Sequence, residues 1–307
     1  MLGFAFRRLI GAVPTLLVVI TIAFFMMRIA PGGPFDSERA LPPEIEKNIL
    51  KAYDMDKPLW EQYTSYLGKI VQGDFGPSIK VQDFTVNELL ASGAPASLEL
   101  GISAILLALI LGVTFGTIAA LRQNSRTDFT VMTTAMVGIA IPNFVMAPLL
   151  SLVFGVYLEW LPVGGWGSGE FIYKILPVLA LSLPQVAYIA RLTRGSMVEV
   201  LHANYVRTAR AKGLREKIVV VRHALKGAML PVVSYLGPAT AAVTTGSVVI
   251  EKIFGVPGIG TYFVDSALNR DYPVVMGVVV VYATLIITFN FIVDMIYSML
   301  DPKVRAE

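Results

Sequence analysis

The chain of 307 residues contains no cysteine, which excludes a disulfide framework and any thiolate nucleophile or metal ligand. Only two histidines are present, His202 and His223, too few and too far apart for a histidine-based metal site. No lysine is followed by serine or threonine. A phosphate-cradling loop needs that pair, because the lysine reaches the phosphates and the hydroxyl ligates Mg²⁺. Gly258 and Gly260 bracket Ile259, but no further glycine follows at dinucleotide-binding spacing, so this stretch reads as a backbone turn. HExxH and GxSxG are both missing, which removes the commonest peptidase signatures. Charge is scarce too. Only 15% of residues are charged, against about 25% in soluble domains.

What is present is hydrophobic, at 55% of residues. Uncharged runs of about 18 residues or more read as transmembrane helices. Six are found, at 9–27, 100–121, 129–158, 175–190, 227–250 and 272–293. The third is too long for a straight crossing, and Pro142 and Pro148 are the expected bends. The fourth extends to Phe171 if Lys174 snorkels. The fold class is therefore all-α integral membrane with six transmembrane helices. The span interiors are nearly free of charge, unlike those of ion-coupled transporters, which hold carboxylates or histidines inside. Glu99 and Asp294 stand at span edges and read as caps or interfacial residues. Gly112 and Gly116 form a GxxxG pair that allows close helix packing.

The loops set the orientation. Segment 28–97 carries 7 basic and 10 acidic residues, whereas the alternate loops are basic. Arg7 and Arg8 precede the first span, Arg122 and Arg126 join the second to the third, and Lys303 and Arg305 close the chain. Positive charge collects on the cytoplasmic side, so both termini are expected there. Arg28 precedes Ala30 where a cleavage site needs a small residue, so the first span is expected to stay as an anchor.

Segment 28–97 has helical pattern of its own and reads as a small helical cap between the first two spans. Ile45, Ile49, Leu50 and Tyr53 share one helix face, and Leu59, Tyr63, Leu67 and Ile70 share another. Residues 73–77, Gly-Asp-Phe-Gly-Pro, form a turn. Thr85 and Glu88 have capping-box spacing and start a third helix. This divides the chain into 1–97, anchor plus cap, and 98–307, the main transmembrane domain. About 65 residues bury little core alone.

The densest signal is the loop between the fourth and fifth spans. Nine basic residues lie between Arg191 and Lys226, opposed only by Glu199 and Glu216. Within it, 204–214 reads NYVRTARAKGL, a basic helix stopped at Lys212 and Gly213. Aromatic interleaving is lacking, which argues against nucleic acid. A loop of this length and charge reads as a handle for a soluble partner, and its bland alternative is a topology signal that binds anionic headgroups.

These residues resemble the cytoplasmic loop of binding-protein-dependent ABC importer permeases. The family pattern is Glu-Ala-Ala, a glycine four residues later and a distal Ile-x-Leu-Pro. Here the positions read Arg207-Thr208-Ala209, Gly213, and Leu230-Pro231. The arginine and the long glycine-to-proline gap are similar to the peptide and nickel branch. The stretch 251–260, EKIFGVPGIG, with Asn269-Arg270-Asp271-Tyr272-Pro273, is similar to that branch too, as are Arg7-Arg8, Arg28 and 73–76. The short segment between the first two spans resembles its oligopeptide members.

The resemblance implies a type I importer permease fold and a pore subunit for oligopeptides, in a bacterial inner membrane. Dipeptide or nickel cargo is the alternative, and an autonomous secondary transporter or channel is the alternative class. It implies a coupling helix formed by Arg207, Thr208, Ala209, Arg210, Ala211, Lys212, Gly213 and Leu214, docked in a groove on an ATPase. Ala209 and Ala211 would permit close approach, and Arg207 and Arg210 would pair with acidic groups there. It implies a periplasmic mouth at Glu251, Phe254, Pro257, Gly258, Gly260, Arg270 and Asp271. The implied partners are a second homologous permease, two cytoplasmic ATPases holding ATP and Mg²⁺, a periplasmic peptide-binding protein, the oligopeptide itself and membrane lipid. This chain would bind no cofactor or metal and perform no bond chemistry.

Overall fold

Each apolar run becomes helix in the computed structural model, which describes residues 2–29, 51 and 55–300. The helices, numbered among the described residues, are α1 (Leu2–Ile29), α2 (Leu59–Val71), α3 (Val86–Leu121), α4 (Arg126–Ala140) and α5 (Asn143–Tyr157). Then follow α6 (Phe171–Leu201), α7 (Asn204–Ala211), α8 (Glu216–Phe254), α9 (Ile259–Leu268) and α10 (Tyr272–Leu300). The expected helix bearing Ile45, Ile49, Leu50 and Tyr53 lies outside the described residues. Among the described residues the sole β feature is an isolated bridge between Pro77 and Thr85.

Among the described residues, five helices are long and apolar enough to cross a membrane, and a sixth span results when α4 and α5 count as one broken crossing. They are bent by 106°. The break lies at Pro142: Ile141 is extended, at φ −96° and ψ 118°, because a proline pushes its predecessor out of the helical region. Pro148 makes no such break. It sits inside α5, whose second half, Ser151–Tyr157, relaxes into a π-helical turn.

Capping explains several helix starts. Thr85 and Glu88 form the expected box: the Thr85 N–H donates to Glu88 Oε2 at 2.8 Å, and the Glu88 N–H donates to Thr85 Oγ1 at 3.2 Å. The helix they begin does not end before the span. It runs unbroken to Leu121, so the third cap helix and the second span are one element. Ser125 caps α4 by accepting the Asp128 N–H at 3.3 Å.

Contacts divide the chain into two compact units, one of 1–9, 98–256 and 286–307, the other of 10–97 and 257–285. In the first unit α6 packs on α4 and α8, and α5 on both α6 and α8. Gly112 and Gly116 lie where α3 meets α6: a Cβ on Gly112 would stand 2.7 Å from the Ile189 side chain, and one on Gly116 2.6 Å from Thr193 Cβ. The GxxxG pair thus brings two backbones together. In the second unit, Phe24, Tyr63 and Met276 form one core, and Val86, Leu89, Leu90, Ile259, Val274 and Val278 another.

Candidate functional site

The basic handle folds into the short helix α7, flanked by α6 and α8. Its inward face is Val206 and Ala209, both buried. They pack with Met197 and Leu201 at the end of α6 and with Val219, Val220, Ala224 and Ala228 at the start of α8. Ala209 therefore belongs to the interior of its own chain, which differs from the expected role of permitting a partner's approach. Only one face of a helix meets the scaffold, and packing against the ends of α6 and α8 selects this one. Arg207, Thr208, Arg210, Ala211 and Lys212 are exposed.

The helix ends as its sequence predicts. Gly213 takes φ +75°, the left-handed conformation that glycine adopts without a Cβ penalty. The Gly213 N–H donates to the Arg210 carbonyl at 2.9 Å, and the Leu214 N–H reaches back to the Ala209 carbonyl at 3.4 Å. This pair of bonds is a Schellman stop, which satisfies two otherwise orphaned carbonyls.

Arg210 is held within the chain. Its Nη2 and Nε donate to Glu216 Oε1 and Oε2 at 2.7 and 3.2 Å, and its Nη1 donates to the Leu201 carbonyl at 3.3 Å. The bonded carboxylate stabilises the guanidinium cation and raises the Arg210 pKa. One side chain thus ties the end of α6, α7 and the start of α8 together. Of the two arginines expected to face a partner, Arg207 is the one left exposed without an ion pair among the described residues. The sequence displays Glu216 as an opposing charge, but its pairing with Arg210 depends on the turn that reverses the chain between them.

A second constellation, around Asp128, carries no motif. Arg194 Nε and Nη2 donate to Asp128 Oδ1 and Oδ2, both at 2.6 Å, and the Asn124 N–H donates to Oδ2 at 2.9 Å. Asp128 is nearly buried. This bidentate pair joins the start of α4 to α6 beside an open cleft of about 620 Å³. The span-edge carboxylates are paired as well, Glu99 with Lys174, and Asp294 with Arg8 Nε at 3.2 Å.

The expected mouth residues fall in both units. In the first, Glu251 and Phe254 are buried at the end of α8. Gly255 stops that helix at φ +68°, with the Val256 N–H donating to the Glu251 carbonyl at 2.9 Å, and the Phe254 carbonyl accepts the Gly165 N–H at 2.6 Å. In the second, Pro257 is exposed, while Gly258 and Gly260 are buried at the start of α9. Gly258 precedes a helix rather than forming an isolated turn. The Ile259 N–H donates to Ser97 Oγ at 2.8 Å, and a Cβ on Gly93 would stand 2.9 Å from Ile259 N, so α3 and α9 nearly touch. Arg270 is half-buried and left-handed, at φ +58°.

Asp271 is the organiser of this region. It is 1% exposed. Its carboxylate accepts the Ser78 hydroxyl, the Ile79 N–H at 3.2 Å and the Lys80 N–H at 3.1 Å. A buried carboxylate surrounded by donors in this way holds a loop in place.

A model for "Binding-protein-dependent transport system inner membrane component" matches residues 112–306, and one for the N-terminal part of such components matches 1–81. The chain is 53% identical to the oligopeptide transport system permease protein OppB of Haemophilus influenzae, and 56% identical to OppB of Salmonella typhimurium. Each alignment covers 99% of this chain and all of the relative. The dipeptide transport system permease protein DppB of Bacillus subtilis is 46% identical, over 99% of this chain and 98% of that protein. Among solved structures, an amino acid ABC transporter crystallised with histidines aligns at a TM-score of 0.52 and 16% identity. That alignment covers 69% of this chain and 94% of that one, and it speaks for the fold alone.

Proposed function

The chain belongs to the family of binding-protein-dependent transport system inner membrane components, and from that premise we propose how it works as the pore-forming permease subunit of an ATP-driven oligopeptide importer. It is a multi-pass inner-membrane protein that acts with other components of an ABC transporter. Both termini and α7 face the cytoplasm, because the basic loops lie on that side. The segment between α1 and α3 and the turn from α8 to α9 face the periplasm.

The observation that carries this reading is the mounting of α7. The helix is short, stopped sharply, buried on one face and basic on the other, and Arg210 fastens it to the helices on either side. Such a part transmits displacement. A partner that moves α7 moves the ends of α6 and α8 with it, and those helices pack on α4 and α5. In this reading α7, through Arg207–Leu214, docks in a groove on one ATPase. Arg207, Thr208, Ala211 and Lys212 meet the partner, Val206 and Ala209 anchor the helix, and Gly213 fixes its end. ATP and Mg²⁺ stay on two ATPase subunits, since this chain lacks the Lys-Ser/Thr of a phosphate loop. A second, homologous permease completes the pore, and a periplasmic peptide-binding protein delivers cargo near 251–260 and Arg270-Asp271. Identity to the oligopeptide permeases above that to the dipeptide permease favours oligopeptide cargo.

Affinity purification of the tagged chain from native membranes tests the assembly, followed by reconstitution with the binding protein and labelled peptide. Co-purifying ATPases, a second permease and uptake that requires ATP are expected. A chain that purifies alone, in membranes that take up peptide without ATP, would sink the driven-importer reading in favour of an autonomous transporter.

A further inference from the structure

Arg28, in the last turn of α1, is a half-buried cation that, among the described residues, meets two aromatic faces. Its guanidinium carbon lies 5.4 Å from the Phe24 ring centroid and 5.9 Å from that of Tyr272. Such contacts stabilise a cation but leave its N–H donors unused. Among the described residues no carboxylate pairs with it.

Arg28 lines a cavity of about 100 Å³ formed by α1, α2 and the start of α10. Two buried polar atoms in the same lining have no hydrogen-bond partner, the Tyr66 hydroxyl and Gln62 Oε1. Gln62 is only 7% exposed. Its Nε2 already donates to the Lys57 and Met55 carbonyls at 2.7 and 3.3 Å, which leaves Oε1 as an open acceptor. Burial pushes the Tyr66 pKa above the ordinary tyrosine range, so its O–H remains a donor. Phe24, Met27, Phe75 and Met276 give the lining an apolar part, and Ser65 and Lys69 are further polar residues in it.

Buried polar groups in native proteins are paired, so two orphans in one lining call for a partner. A bare carboxylate would satisfy the two donors and leave Gln62 Oε1 unmet. A peptide's last residue supplies a carboxylate, its own backbone N–H and a side chain for the apolar part of the lining. We infer that this cavity captures the carboxyl end of a peptide chain, with the carboxylate on Arg28 and Tyr66 and the terminal amide N–H on Gln62. An apolar cavity of about 150 Å³ takes a benzene, so this smaller one of about 100 Å³ takes no more than the tip of a peptide's last residue. The inference rests on the importer reading, which puts the cavity on the periplasmic face. The same chemistry is available from two sources, the transported peptide and the end of the binding protein.

The test uses the complete transporter in nanodiscs, with trileucine and its C-terminal amide as probes in titration calorimetry. The free acid should bind about tenfold more tightly than the amide, as expected for losing a hydrogen bond to a charged group. Arg28→Gln should erase that preference, and Tyr66→Phe should reduce it several-fold. Both variants are first checked for assembly with the partner subunits. Preference seen without the binding protein assigns the cavity to the transported peptide. Preference that appears only with the binding protein, and is lost when its last residues are removed, assigns it to the partner's end. Equal binding of acid and amide with and without the binding protein, or discrimination retained in both variants, overturns the inference. Failure of the importer reading is separable, because wild-type complex would then show no ATP-dependent peptide uptake.

Discussion

Arg210 and Glu216 face each other across the turn that follows α7, joined by two hydrogen bonds of 2.7 and 3.2 Å. The same guanidinium holds the last carbonyl of α6, so the pair is a three-way fastening and not an isolated surface bridge. An exposed pair contributes at most about 1 kcal/mol to stability. Its importance lies in transmission. Glu216→Gln should leave membrane level and melting temperature nearly unchanged while lowering peptide uptake per ATP hydrolysed several-fold. An uptake-to-ATPase ratio equal to wild type would show that α7 transmits motion without this fastening.

The two faces of α7 make separable predictions. Arg207→Glu alters an exposed charge and should weaken ATPase association without affecting thermal stability. Ala209→Glu places a carboxylate in a buried site among Met197, Val219 and Ala224, an uncompensated burial that costs several kcal/mol. It should lower the melting temperature of the purified chain before any partner is added. Identical outcomes for the two variants would contradict the assignment of faces.

Gly213 stands at φ +75°, which a Cβ disfavours by roughly 1–2 kcal/mol. Gly213→Ala should therefore reduce uptake mildly. Gly213→Pro demands a φ near −65° and should abolish uptake while the chain still inserts. Quantitative membrane blots beside the uptake assay separate the two effects, and full activity of the proline variant would refute the rigid-end argument.

Gly116 offers a test of packing alone. A Cβ there would collide with the Ala190 carbonyl and with Thr193, and overpacking of this kind costs about 1–3 kcal/mol. Gly116→Ala should lower the melting temperature in detergent. Gly101→Ala is the control, since its Cβ would meet Val243 Cγ1 at an ordinary 3.7 Å. If both variants melt alike, the close approach of α3 and α6 is not what these positions secure.

Asp271 holds Ser78, Ile79 and Lys80 through its carboxylate. Hydrogen bonds to a charged group contribute roughly 1.5–3 kcal/mol each, and Asp271→Ala removes all of them. Hydrogen exchange should accelerate by at least tenfold at 79–81, with α2 little affected. Unchanged protection there would remove Asp271 from its organising role.

The apolar runs, the break before Pro142, the capping box of Thr85 and Glu88 and the glycine stop after α7 were legible in the sequence. Each depends on residues a few positions apart, where backbone sterics and local hydrogen bonds decide the outcome. The family was legible for the same reason, in the contiguous basic stretch around Arg207–Gly213. Other features were invisible. The Asp128–Arg194 pair spans 66 positions and has no spacing rule. Neither Ala209 facing inward nor Asp271 reaching Ser78 follows from any local pattern.

Sequence by itself thus determined that this chain crosses a membrane on six largely uncharged spans and offers a basic helix with a fixed end. Hydropathy and helix termination are short-range properties, and the bilayer imposes the rest. Tertiary structure alone decided which face of that helix is buried, that Arg210 is committed within the chain, and that Arg28, Gln62 and Tyr66 share one cavity. These depend on which helices meet and at what rotation, a choice made by the summed packing of many distant side chains.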